Sequence, residues 1–494
     1  MTSNSLGKVD SDSKTDSDSG AGAGSTCSAG AASATLAARR QQLGARLPGQ
    51  PIVVAAGVAP ARNYAANTYD FRASSHFLYL TGLQLAGAQL LVIPGPGPGP
   101  GPGPGPGPGP GPGAEGVPGR AELFVPPPAP DDALWHGELP SLAALQELTG
   151  VDAVRPLPEL PDRLAELAPC ARLPLPHAPS AHDEALAHAM IELRLRHDEA
   201  AVRELRRAVA VTVQAHRAGL RATRPGVPVA AVRAAMEQPI HAANFTTAYP
   251  SIVTTHGEIL HTSDRSGLCQ AGELLLADVG AESDTGWASD VTRTWPVSGT
   301  FSASQRAIYD IVLSAQVAAI AAVRPGVRYR DVHLTACRVL CAGLVEEGLL
   351  SGEVDGLVER GAHALFFPHG VGHLLGLDVH DMEDLGDRAG YARGRSRSSQ
   401  FGLSYLRLDR DLAPGMAVTI EPGLYFVPHI LRHEALTRPF GGDFHPERLS
   451  QFADVRGIRI EDDVLVTATG CEVLTYAIPK TATDIEAAMR DARG

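Results

Sequence analysis

Hydrophobic positions along this chain repeat with two different periods, and the switches between them divide it into regions. From residue 35, TLAARRQQLGARL spaces its apolar residues by three and four, which predicts a helix. The runs PIVVAAGVA, FLYLTG, AQLLVIP and AELFVPP follow, each short and apolar, and read as strands. Together they predict a mixed α/β domain over residues 35–178, ending near the proline-rich ARLPLPHAPSAHD. A second region opens with one long predicted helix over residues 183–224, stopped by a Pro-Gly pair. Short strands and helices then alternate to about Ile478, so residues 179–490 are expected to form a large α+β domain. No internal repeat is evident along it.

Two segments break this pattern. Residues 1–34 are polar and small, bury too little apolar surface to offset chain entropy, and are expected to form a disordered tail. Residues 94–113 alternate Pro and Gly with period two, which excludes collagen, where Gly occupies every third place. Flanked by strand-like runs, this stretch is expected to be a flexible, extended insertion at a hairpin tip.

The 494 residues are 44% hydrophobic, ample for sizeable cores, and carry a net charge of −13 that argues against a nucleic-acid or anionic-membrane partner. The first residues lack the basic start and apolar core of a signal peptide, and no long apolar span follows. A cytoplasmic protein is the expectation. Six cysteines (Cys27, Cys170, Cys269, Cys337, Cys341 and Cys471) are too few for a disulfide scaffold and fit a reducing compartment. Cys337 and Cys341, four apart in an apolar helical pattern, read as buried free thiols rather than a metal pair.

Four motifs carry candidate chemistry. In LLLADVGAESDTGWASDVTRTW, a buried strand ends at Asp278, and alternation puts Asp290, Thr292 and Thr294 on one face of the next. A hairpin of this kind brings Asp278 and Asp290 together, and carboxylates that close repel unless protonated or bound to a cation. FFPHGVGHLLGLDVHDMED places His369, His373 and His380 within twelve residues, among glycines that permit close packing. GMAVTIEPGLYF ends an apolar strand in Glu421, ahead of Tyr425, and RGIRIEDDVLVT puts Arg459 and Glu461 on one strand face. Each motif alone has an ordinary structural reading. Together, four carboxylates and one imidazole make an oxygen-rich donor set suited to manganese, cobalt, zinc or magnesium, and sufficient for two ions with bridging carboxylates.

These motifs, with SDVTRTWPVSGTFS, YDFRASSHFLYLTG and ALWHGELP, resemble those of aminopeptidase P and prolidase, the pita-bread metallopeptidases, over roughly residues 35–487. The resemblance implies a pita-bread catalytic domain behind an aminopeptidase P-like N-terminal domain, and two divalent ions per chain, manganese in first place with zinc or cobalt as alternatives. It makes Asp278 a ligand of one ion, Asp290 and Glu461 bridges, and His373 and Glu421 ligands of the other. His261 (in GEILHTS), His369 and His380 match histidines that assist substrate binding and the transition state, while Arg459, Tyr425 and Thr292 match positions that support the ligands or face the substrate. The sequence departs from the family at Thr262, where Tyr is common, at RLRHDEA, which lacks a usual lysine, and in two insertions, after His380 and before Glu461.

The implied activity is release of the N-terminal residue from peptides with proline in second place, with Glu421 moving the proton. An Xaa-Pro dipeptidase is the near alternative, and would need a basic residue to clamp the dipeptide carboxylate. A metal-free creatinase-like enzyme or a binding module is the remote one, disfavoured because all five ligand positions are present. A homo-oligomer, dimer or tetramer, is implied as well, with Trp135 either a contact to a neighbour's site or a plain core residue.

Overall fold

Five short strands pair into the first sheet of the computed structural model, which describes residues 23–95, 119–167 and 169–492. They are β1 (Ile52–Ala55), β2 (Gln89–Ile93), β3 (Arg120–Val125), β4 (Ala153–Pro156) and β5 (Ala171–Leu173), in the order β4-β3-β2-β1-β5. β2 and β3 are antiparallel with Ile93 opposite Arg120, so the Pro-Gly run connects neighbouring strands. Nearly all of that run, like residues 1–22 of the expected tail, lies outside the described residues.

Three expectations need correction. The helix expected from residue 35 spans Ala23–Arg46, taking in the alanine-rich end of the expected tail, because alanine is the strongest helix former. FLYLTG is not a strand. Helix Ser75–Thr81 has all seven residues buried, and a short run apolar on every side has no period to tell helix from strand. The helix over 183–224 is two helices, Ala181–Arg194 and Glu199–Ala222, because Asp198 caps the second by accepting the amide N–H of Ala201.

The second domain is built from β6 (Thr246–Thr247), β7 (Ile252–Thr254), β8 (Leu274–Asp278), β9 (Ala281–Glu282), β10 (Thr292–Pro296), β11 (Ala417–Ile420), β12 (Gly423–Tyr425), β13 (Gly457–Arg459), β14 (Asp462–Val466) and β15 (Cys471–Val473). They form small antiparallel sheets, chiefly β10-β8-β7 and β11-β14-β15. Helix Glu199–Ala222 packs on Val229–Ala242, and Ala303–Ala322 packs on Tyr329–Glu346. Each pair turns through the same Arg-Pro-Gly-Val (residues 224–227 and 324–327), with Gly226 and Gly326 at φ +85° and +82°. The domain thus holds an internal repeat that the pattern of hydrophobic residues hides.

The first domain fastens the histidine-bearing segment of the second. Arg72 pairs with Glu282 at 2.9 Å and donates to the Leu377 carbonyl, and Ser75 donates to Asp378 at 2.6 Å. Buried Arg194 contacts His76 at 2.9 Å and Asp381 at 2.6 Å. Leu377, Asp378 and Asp381 are therefore held by two arginines, Arg72 and Arg194.

Candidate metal centre

Strand ends deliver the acidic groups. β8 ends at Asp278, paired with Thr292 of β10, and Asp290 lies two residues before that strand. Glu421 follows β11, with its N–H donating to the Val371 carbonyl at 2.7 Å. Glu461 sits between β13 and β14, its N–H donating to the Thr292 carbonyl at 3.0 Å. His373 is brought in beside β11, where its carbonyl accepts from Thr419 at 3.0 Å. This approach requires Gly372, at φ +154°, since a Cβ there would collide with the Thr419 carbonyl and the Tyr329 hydroxyl.

The side chains converge on one cavity of about 530 Å³. Asp278, Asp290, His373, Glu421 and Glu461 all line it, together with His261, His369, His380 and Arg459. One ligand atom from each of Asp290, His373 and Glu461 lies within 4.8 Å of the others. His373 Nε2 is 3.4 Å from Asp290 and 3.6 Å from Glu421. Its Nδ1–H donates to the Leu374 carbonyl at 3.0 Å, which leaves the Nε2 lone pair facing the carboxylates.

Tyr425 and Thr292 stand behind the wall and act through others. The Thr292 hydroxyl donates to Glu461 at 2.8 Å and accepts from Arg459 at 2.9 Å. Arg459 also pairs with Asp278 at 2.6 Å and donates to the Tyr425 hydroxyl at 3.2 Å. Tyr425 O–H in turn meets His369 Nε2 at 2.9 Å, while His369 Nδ1 donates to the Gly370 carbonyl at 2.8 Å, so this ring is held at both nitrogens. His380 stacks edge-on to His373 with ring centroids 4.3 Å apart, and its Nδ1 lies 3.4 Å from Glu383.

The electrostatics fit bound cations. Burial, reinforced by the neighbouring carboxylates, pushes the Glu421 carboxyl up to about 8 and raises Glu461 well above its ordinary range. Burial also raises Asp278 and Asp290, with Arg459 partly offsetting it at Asp278. Burial holds His373 neutral, down to about 4, the protonation state a ligand needs. Of the three guanidinium groups in the wall, only Arg459 pairs with one of the four carboxylates, while Arg397 and Arg407 pair with Asp387 and Glu383. Without added positive charge, the cluster would have to hold protons.

Several residues of the site carry no mark in the sequence. The Tyr249 hydroxyl donates to Asp278 at 2.5 Å from an unremarkable loop. Asp463, hidden as the third acid of Glu461-Asp462-Asp463, accepts from the Ser289 hydroxyl at 2.8 Å and the Asp290 amide at 3.1 Å. The insertion after His380 folds back so that Arg397, Phe401, Tyr405 and Arg407 join the cavity wall, and Ile430 comes from the insertion before Glu461. Trp135 lies far from a core position. It is 70% exposed, beside Leu134 at 76%.

Comparison with known proteins agrees with this geometry. Residues 203–468 match metallopeptidase family M24, and residues 36–173 match the aminopeptidase P N-terminal domain. Xaa-Pro aminopeptidase 1 of Streptomyces coelicolor is 34% identical over 94% of this chain and 88% of its own length. The human Xaa-Pro dipeptidase is 33% identical over 75% of this chain and 79% of its own. Aminopeptidase P from Escherichia coli, solved with the inhibitor Pro-Leu, superposes with a TM-score of 0.74 at 28% identity, covering 93% of this chain and 99% of that one. With both the N-terminal domain and the acid-and-histidine cavity in place, the chain belongs to metallopeptidase family M24, in its aminopeptidase P and prolidase branch.

Proposed function

We propose that this protein is an Xaa-Pro aminopeptidase holding two divalent ions, manganese first among them, between Asp278, Asp290, His373, Glu421 and Glu461. The carrying observation is the convergence of these five groups on one cavity with too little fixed positive charge to balance them. When bound, such ions acidify a water to near-neutral pKa and polarise the scissile carbonyl. The protein's own groups do the rest. Glu421 takes the proton of the attacking water and passes it to the proline nitrogen as the C–N bond breaks. Arg459 and Thr292 hold Asp278 and Glu461 in place. His369 is engaged at both nitrogens, so His380, whose Nε2 is not engaged by its Glu383 contact, stabilises the oxyanion. His261, also in the cavity wall, faces the substrate.

A cavity of this size lies within the small-ligand range of about 300–1,000 Å³, which suits a peptide segment and excludes a folded protein. A homo-oligomer is part of the proposal, and the exposed Leu134 and Trp135 supply an apolar surface for it. The dipeptidase reading gains one specific observation: Arg407, paired with Glu383 at 2.6 Å, places a guanidinium in the cavity wall where it can meet a substrate carboxylate. Rates on Gly-Pro against Arg-Pro-Pro, with and without chelator, separate the two. A marked preference for the dipeptide, lost in Arg407→Ala, overturns the aminopeptidase in favour of the dipeptidase. Full activity in chelator overturns both.

A further inference from the structure

Behind the cavity wall, helix Tyr329–Glu346 carries His333, Cys337 and Cys341 at four-residue steps, so all three share a face, and all are fully buried. The turn Ala362–Leu365 lays His363 against that face. Cys337 Sγ is 3.3 Å from His333 Nε2, and one donor atom from each of His333, Cys337 and His363 lies within 4.8 Å of the others. The two imidazoles stand edge to face with centroids 6.1 Å apart.

A histidine inside a core normally has at least one ring nitrogen bonded. His216 bonds the Val279 carbonyl and His197 the Leu375 carbonyl, each through Nε2 with Nδ1 left open. His363 differs, since neither Nδ1 nor Nε2 has a hydrogen-bond partner although the residue is 1% exposed. His333 has only the Cys337 sulfur at Nε2, and its Nδ1 is open. Buried polar atoms left open in this way call for a partner that the chain itself does not supply.

We propose that His333, Cys337 and His363 form a second metal site, which takes a soft d10 cation, Zn2+ or Cu+. Two imidazoles and a thiolate select such ions over the oxygen-seeking metals of the catalytic cavity. Burial keeps both imidazoles neutral, His363 down to about 4, with lone pairs available. Burial also keeps the Cys337 thiol protonated, so the S–metal bond forms as the S–H proton leaves to solvent. Cys341, one turn along, lies against the main chain of His363. Cys337 and Cys341 are buried free thiols, as the sequence predicts, and the fold adds the two histidines beside them. Phe367 sits between His333 (5.5 Å) and His369 (4.8 Å), so an ion here braces the segment carrying His369, one ring behind the substrate.

The test is a Co2+ titration of the full-length protein after chelator treatment. Thiolate-bound Co2+ shows an intense near-ultraviolet charge-transfer band, and no cysteine lines the catalytic cavity, so the band does not come from the catalytic ions, and its loss in Cys337→Ser assigns it to this site. The band is expected in the wild type, retained in Asp290→Asn, lost in Cys337→Ser, and chased by Zn2+ or by anaerobic Cu+, whichever binds tighter. If Cys337→Ser misfolds, His363→Asn serves instead, with Co2+ affinity expected to fall at least ~10-fold. Visible bands of Co2+ filling the catalytic cavity with no charge-transfer band would overturn the proposal, as would a band that survives Cys337→Ser in folded protein.

Discussion

Glu461 and Asp462 are adjacent in the chain and both fully buried, yet they sit in opposite electrostatic surroundings. Asp462 points away from the cavity to Arg293 at 2.7 Å, Lys480 at 2.7 Å, Gln316 at 2.7 Å and the Thr475 hydroxyl at 2.7 Å. Although burial alone would raise it, Arg293 and Lys480 hold its carboxyl well below the usual range. Glu461, facing Asp290 and Glu421, is raised well above that range by burial and by those charges. One strand thus separates an acid neutralised by the protein from an acid left for something exchangeable. A structural ion pair is complete in itself; a binding site is deliberately short of charge.

The comparison breaks most visibly at the cavity. Asp290→Asn removes a ligand without removing volume, and should lower kcat/KM by ~1,000-fold or more, beyond the loss from deleting one oxyanion donor. Circular dichroism should stay native, and divalent ions should no longer raise the melting temperature. Near-normal turnover with added Mn2+ would count against the ligand assignment. On the other side of the strand, Arg293→Leu should leave Asp462 underpaired and cost about 3–5 kcal/mol in denaturant unfolding. Here Mn2+ should give no rescue beyond its effect on the wild type. If saturating metal restored full stability to this variant, the two acids would not be electrostatically separate.

How much of this was legible in the sequence depends on what kind of signal each residue leaves. Asp278 and Glu421 terminate apolar runs, and an acid at the end of a buried strand is conspicuous because it is costly without a partner. His369, His373 and His380 are conspicuous through density. Asp463 and Tyr249 are not, since one hides in an acidic triplet and the other in a loop, and only the fold brings them to Asp290 and Asp278. The same holds for Arg407, which reaches the wall because the insertion folds back. Helix periodicity also misled where burial was uniform: FLYLTG has no polar face to set its period, and the break at Asp198 rests on a single cap. Local patterns expose groups that are expensive in isolation, and conceal groups whose cost is met by residues distant in sequence.

A gentler substitution sharpens the contrast. Thr292→Val keeps the shape of the side chain but removes the hydroxyl that donates to Glu461 and accepts from Arg459. Metal affinity, read from the activating-metal titration, should fall about 10–100-fold, the usual effect of deleting a group that orients a ligand. Recovery of wild-type turnover at saturating Mn2+ is expected, because no ligand is lost. A turnover defect that persists at saturation would place Thr292 in the reaction itself.

The smallest effect is a slope, and its sign is decisive. In the metal-free protein Glu421 is raised from 4.5 to about 8, so its protonated form is favoured by folding. That contribution is complete below the unfolded value and is lost as pH rises through the folded one, so stability should fall towards alkaline pH. The buried histidines act in the opposite direction, but only lower down. His373 and His369, depressed from 6.5 to about 4 and about 3, cost stability as pH drops below about 6.5. Between about pH 7 and pH 9 those rings are neutral in both states, and ordinary thiols are only beginning to ionise. The melting temperature of chelator-treated protein should therefore decline across that window, led by Glu421 and Glu461. Saturating Mn2+ should remove or reverse the decline, because the ions hold the same carboxylates ionised. Asp462 contributes nothing to this slope, its stabilisation being lost only in acid. A flat metal-free profile would mean that the four carboxylates are already balanced by the protein, and the cavity would then have no electrostatic reason to bind metal.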